Sequence, residues 1–66
     1  MSQFFVISED SEDTFDSTDN LQDAIRIARE VAQERAGDLV SIEHEGKVVG
    51  QFVLMPDGKV AEEALV

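Results

Sequence analysis

Cysteine is missing from this 66-residue chain. That excludes disulfide staples, a thiolate nucleophile and any zinc site built on sulfur. Tryptophan and tyrosine are absent too, which leaves four phenylalanines as the whole aromatic complement. Basic residues are scarce: five face fifteen acids, and the formal charge of -10 repels phosphate backbones and anionic lipid heads at long range. Neither direct nucleic-acid binding nor attachment to a membrane surface is expected. Long hydrophobic runs are lacking as well, since the longest, Phe4–Ile7 and Phe52–Met55, have four residues, against the roughly 20 a spanning helix requires. Met1 to Ser8 carries no basic residue and no signal-like apolar stretch. The reading is a cytoplasmic protein, residues 1–66 forming one small domain, because a chain this short encloses only one core.

What is present begins with a helix predicted over Asn20 to Ala36. Leu21, Ala24, Ile25, Ala28, Val31, Ala32 and Ala36 recur at the three- and four-residue steps of one face. Asn20 is the expected N-cap, Asp23 answers the positive end of the dipole, and Gly37 supplies the stop. An alanine spine at 24, 28, 32 and 36 lets the backbone approach its support closely, and a sheet is the expected support.

Beyond Gly37 two turn signals appear, His44-Glu45-Gly46 before Lys47 and Pro56-Asp57-Gly58 before Lys59. Each suits a three-residue hairpin loop closed by glycine. In the first hairpin that loop pairs Glu43 with Lys47, Ile42 with Val48 and Val40 with Gly50. Val40, Ile42, Val48, Gly50, Phe52 and Leu54 then share one face, with Leu39, Ser41, Glu43, Lys47, Val49, Gln51 and Val53 on the other. A two-residue loop, Glu45-Gly46, sets opposite apolar patterns against each other, so the longer loop is preferred. The second hairpin pairs Leu54 with Val60 and leads into a brief strand at Lys59 to Ala61. Residues 62–66 follow as a helical turn or a flexible tail.

At the other end, Gln3 to Ser8 is apolar on both pleat faces and reads as an interior strand. Residues 9–19 read as an acidic loop, in which a strand around Thr14 to Asp16 would give Phe15 a route to the core. The expected fold is therefore α+β: a small β-α-β-β(β) domain with a three- to four-stranded, mainly antiparallel sheet and one amphipathic helix packed on one face.

Candidate chemistry is thin. A calcium loop starting at Asp10 places Glu12 and Thr14 in ligand slots, but Phe15 falls where glycine is needed and Leu21 where a bidentate acid is needed. His44 is the one histidine, set in a turn without a second histidine or a cysteine, and reads as solvated. Glu43 and Glu45 share a side of an extended strand but lack a pocket to split their pKa values. Gly50 reads as room for the helix rather than for a ligand. No catalytic, cofactor-binding or metal site is assigned, no cofactor is expected, and the chain is not expected to be an enzyme.

Two surfaces point to partners. One helix covers one sheet face, so Leu39, Val49, Val53 and Met55, with either Phe4 and Val6 or Phe5 and Ile7, are expected to form an uncovered apolar patch. Acids at Glu9, Asp10, Glu12, Asp13, Asp16 and Asp19 form the second. The functional expectation is a small acidic interaction or regulatory module that binds a protein or a second copy of itself through the sheet. The alternative is a DNA mimic, in which the carboxylates occupy the cleft of a nucleic-acid-binding protein.

Overall fold

A computed structural model describes residues 3–11 and 13–64. The chain runs β1 (Phe4–Ser8), β2 (Thr14–Thr18), α1 (Leu21–Glu34), β3 (Val40–His44), β4 (Lys47–Leu54) and β5 (Val60–Ala64). All strand pairs are antiparallel in the order β2-β1-β3-β4-β5, and the helix packs on one face. The class is α+β as expected, with five strands rather than three or four.

The helix forms where its apolar spacing placed it. Asn20 Oδ1 accepts from the amides of Gln22 at 2.7 Å and Asp23 at 3.3 Å, satisfying two of the donors that a helix start leaves open. At the other end Arg35 donates its amide to the Val31 carbonyl, and Gly37 follows at φ +89°. Ala24, Ala28 and Ala32 are completely buried, whereas Ala36 lies beyond the helix and is exposed. Methyl-sized side chains let the helix lie low on Val6, Val40, Ile42 and Phe52, the large core residues of the sheet. Full burial contributes roughly 1.5–3 kcal/mol for each such side chain.

Two strands run further than the sequence suggested, which offered a strand around Thr14 to Asp16 and a brief one at Lys59 to Ala61. Within residues 9–19, Thr14–Thr18 folds back on β1 as an edge strand, and the turn before it is tied by the Ser8 amide donating to the Asp13 carbonyl. β5 continues through Glu62 and Glu63 to Ala64, so the helical-turn alternative fails there; Leu65 and Val66 lie outside the described residues. The β4–β5 hairpin agrees with the sequence reading: Leu54 pairs with Val60 around Pro56-Asp57-Gly58, and Gly58 takes φ +87°.

The β3–β4 hairpin does not. Its loop is the two-residue Glu45-Gly46, both at positive φ (55° and 79°), the arrangement that matches strand twist in tight hairpins. His44 pairs with Lys47 and Glu43 with Val48, yet Ile42 pairs with Gly50, leaving Val49 as the extra residue of a bulge. The bulge removes the mismatch of apolar patterns that argued against the short loop. A second bulge lies in β2, where Val6 pairs with Asp16 and Ile7 with Thr14, so Phe15 is the extra residue. Both extra residues, Val49 and Phe15, pack against the core. Phe15 thus anchors β2 under the helix, with the Arg35 guanidinium 4.6 Å above its ring.

Candidate functional site

The strand registers sort side chains onto two faces. Phe4, Val6, Ser8, Val40, Ile42, His44, Gly50, Phe52 and Val60 lie under the helix, as their pairings and shared core contacts require. Phe5, Ile7, Ser41, Glu43, Val48, Gln51 and Val53 alternate with them and face away from it. Of the two possible pairs from β1, the uncovered one is Phe5 and Ile7.

On this uncovered face the residues line up in rows across the strands. One row is Ser17, Phe5, Glu43 and Val48; the next is Thr14, Ile7, Ser41, Gln51 and Glu63. A third joins Glu9 to Leu39 through the Glu9 amide and the Leu39 carbonyl, and pairs Val53 with Ala61. Phe5 is 41 % exposed; Ile7, Leu39, Val48 and Val53 are partly buried by their neighbours. The face therefore has two apolar ridges, Phe5–Ile7 on β1 and Val48–Val53 on β4. β3 separates them and presents Ser41 and Glu43. Ser41 is fully buried although no helix covers it, because Glu9 folds over it and accepts its hydroxyl at 2.7 Å.

Leu39 and Val53 thus occupy the uncovered face as expected. Val49 does not: the bulge turns it toward the helix, and Val48 takes its place, which also reverses the face assigned to Lys47. Met55 lies past the end of β4, 45 % exposed, at the base of the turn where its amide donates to the Lys59 carbonyl.

The acids are divided among several surfaces. Glu9 belongs to the uncovered face, Asp10 and Asp13 to the β1–β2 turn, Asp16 to the β2 edge, and Asp19 to the approach to the helix; Glu12 lies outside the described residues. Asp16 is turned onto its own backbone, accepting the Ser17 amide at 2.8 Å. The calcium slots are likewise split, with Phe15 in β2 and Leu21 at the start of α1, and no group of three or more metal-ligating side chains converges among the described residues. None of the helices described is long and apolar enough to cross a membrane.

On the helix side an open cleft of about 700 Å³ lies between the first turns of α1 and the β3–β4–β5 corner. Leu21, Ile25, Val49 and Phe52 line it, and His44 and Lys47 stand at its rim. His44 is partly buried rather than a solvated turn residue: its ring stacks on Phe4 with centroids 4.0 Å apart and 13° between planes. Gly50 also lines this cleft. A methyl group there would meet the Phe52 ring at 3.5 Å and the Glu63 carbonyl at 3.7 Å, both ordinary contacts, and none of its three nearest atoms belongs to the helix, so close approach of the helix does not explain Gly50. Glu43 and Glu45 separate, Glu43 to the uncovered face and Glu45 to the turn apex.

Glu62, which also lines the cleft, accepts twice from Arg29, at 2.6 and 2.9 Å, tying α1 to the edge strand β5. These hydrogen bonds, with a smaller contribution from the guanidinium charge, hold the Glu62 carboxyl below its ordinary pKa; partial burial opposes them. The same contacts raise the Arg29 pKa. Sequence reasoning missed this link because it placed Glu62 in a tail. No protein-family model, curated protein or solved structure matches the chain.

Proposed function

We propose that the chain is a non-catalytic protein-interaction module that docks through the uncovered face of its sheet. The observation that carries this reading is Phe5: a large apolar side chain 41 % exposed on an interior strand, flanked by Ile7 and within one row of Val48. Such a residue contributes little to the core beneath it, and burial against a partner is what its position favours. The non-catalytic part rests on the cleft, where His44 is stacked on Phe4 and the nearby Glu62 is already engaged by Arg29. The DNA-mimic alternative rests on total charge alone, since the acids are spread over several surfaces.

The test compares complexes of the tagged protein, recovered from its own cells and sized by native mass spectrometry, with those of three variants. Phe5→Glu and Val53→Glu should each weaken a complex at least about thirtyfold, the effect of charging the centre of an interface. Gln33→Glu adds the same charge on the outer helix surface and should leave complexes intact. Circular dichroism checks that each variant is folded. Complexes that survive both sheet substitutions would remove the proposal.

A further inference from the structure

Resting on that reading, we infer that the partner of the uncovered face is a basic protein segment, which seats a lysine or arginine over Glu43 between the two apolar ridges. The strand residues of this face carry charge of one sign. Its strand residues include Glu43 and Glu63, Glu9 is folded across Ser41, and none of the strand residues facing this side is basic. The nearest base by alternation, Lys59, follows the β4–β5 turn three rows from Glu43, roughly 20 Å along the strands. Two of the remaining bases are engaged elsewhere: Arg29 with Glu62 and Arg26 with Glu30, both on the helix.

The ridges set the shape of the ligand. β1 and β4 flank β3, so Phe5 and Val48 stand about two strand spacings apart, close to 10 Å, with Glu43 midway in the same row. An extended segment crossing the strands turns every second side chain toward the sheet, about 7 Å apart, so residues i, i+2 and i+4 set an apolar group on each ridge and a cation over Glu43 between them. A second copy of the chain fits the charge poorly. A two-fold axis along the central strand β3 sets Phe5 against Val48 of the other molecule, but it also brings the two Glu43 carboxylates together. Like charges face to face oppose association, whereas a basic segment converts the same carboxylate into an attraction.

The test is a nuclear magnetic resonance titration of the labelled protein with a capped peptide Val-Ser-Arg-Ser-Val, whose valines and arginine share one side when extended, and with the same peptide carrying glutamate for arginine. Saturable shifts are expected at Phe5, Ser41, Glu43 and Val48 with the arginine peptide only. Glu43→Gln and Phe5→Ser should each weaken binding roughly three- to tenfold, and added salt should weaken it further as charges are screened. Three outcomes overturn the inference: no saturable shift at these residues, equal binding of the glutamate peptide, or shifts centred on Asp16 and Asp19 that Glu43→Gln leaves unchanged. A fourth is concentration-dependent shifts at the same face without peptide, strengthening with salt. That result would make a second copy the occupant, so the inference would fail while the docking face stood. Complexes insensitive to both Phe5→Glu and Val53→Glu would sink the docking face itself.

Discussion

Deleting one valine from Lys47-Val48-Val49-Gly50 should leave the protein folded, an outcome opposite to the usual effect of removing a residue from a strand. The two valines are adjacent and identical, so removal of either gives the same chain. In the structure His44 opposes Lys47, Glu43 opposes Val48 and Ile42 opposes Gly50, leaving Val49 without a partner. Joining Val48 to Gly50 makes the alternation regular and preserves every pair beyond it, including Phe52 beneath the helix. The loss is the partly buried Val49 side chain, about 1 kcal/mol. Ordering one residue fewer returns roughly 1–2 kcal/mol, so the net change should lie within about 1 kcal/mol of zero. With a regular strand and a three-residue loop, the same deletion would turn Phe52, now 4 % exposed, out of the core. That would cost on the order of 3–5 kcal/mol, comparable with the roughly 3–10 kcal/mol expected for the whole domain. Urea denaturation measures the stability, and cross-strand contacts by nuclear magnetic resonance report the register. An unfolded chain, or Phe52 on the uncovered face, would refute the bulge as the device that sets the register.

The helix and the edge strand supply further tests. Ala28→Leu inserts three carbons where the helix lies directly on the sheet, at a position with no exposed surface, and should destabilise the fold by about 1–3 kcal/mol in urea titrations. The Arg29–Glu62 pair should make stability depend on pH. Because the folded-state pKa of Glu62 is depressed, its contribution is fully present above the ordinary value near 4.5 and is lost as pH falls through the folded-state value. Glu62→Gln should therefore lower stability above pH 4.5 and match the native chain at the acid end, as denaturation curves across that range would show; a constant difference at all pH values would contradict the link.

Elements written in a single period were legible from sequence. The helix needed only the recurrence of Leu21, Ala24, Ala28 and Ala32, and its cap only Asn20. The strands of mixed or polar composition were harder. β2 contains one apolar residue, Phe15, and that residue sits at a bulge, so no alternation marks the strand. β5 carries Glu62 and Glu63, acids suited to an edge strand that must resist further pairing, and this made it resemble a tail. The same cause limited the docking face. Leu39 and Val53 were placed on the correct face because the loop is one residue shorter than expected and the bulge adds one, so the register beyond the bulge slips by two and keeps its alternation, whereas Val48 and Val49, between loop and bulge, exchanged faces. For β1, all four of Phe4, Phe5, Val6 and Ile7 are apolar, and only the position of the helix decides which pair is covered.

Charge and shape together determine which occupant the face can hold, and magnitudes show why salt separates the choices. Two copies at -10 each, with centres about 20 Å apart when their sheets stack, would repel by roughly 20 kcal/mol in unscreened water. Screening lengths of about 30, 10 and 3 Å reduce this to about 10 kcal/mol at 0.01 M salt, about 3 at 0.1 M and well below 1 at 1 M. Five strands of about five residues span some 24 by 17 Å, a flat area of roughly 400 Å². That is modest beside the 800 Å² or so that each partner of a standard interface buries. Apolar contact over such an area has little surplus to set against 3 kcal/mol of repulsion, so self-association should strengthen as salt rises. A basic partner reverses the sign, because the same field that repels a copy attracts the cation and fades as ions accumulate. An uncharged partner would respond weakly in either direction, so the direction of the salt response names the class of occupant before its identity is known.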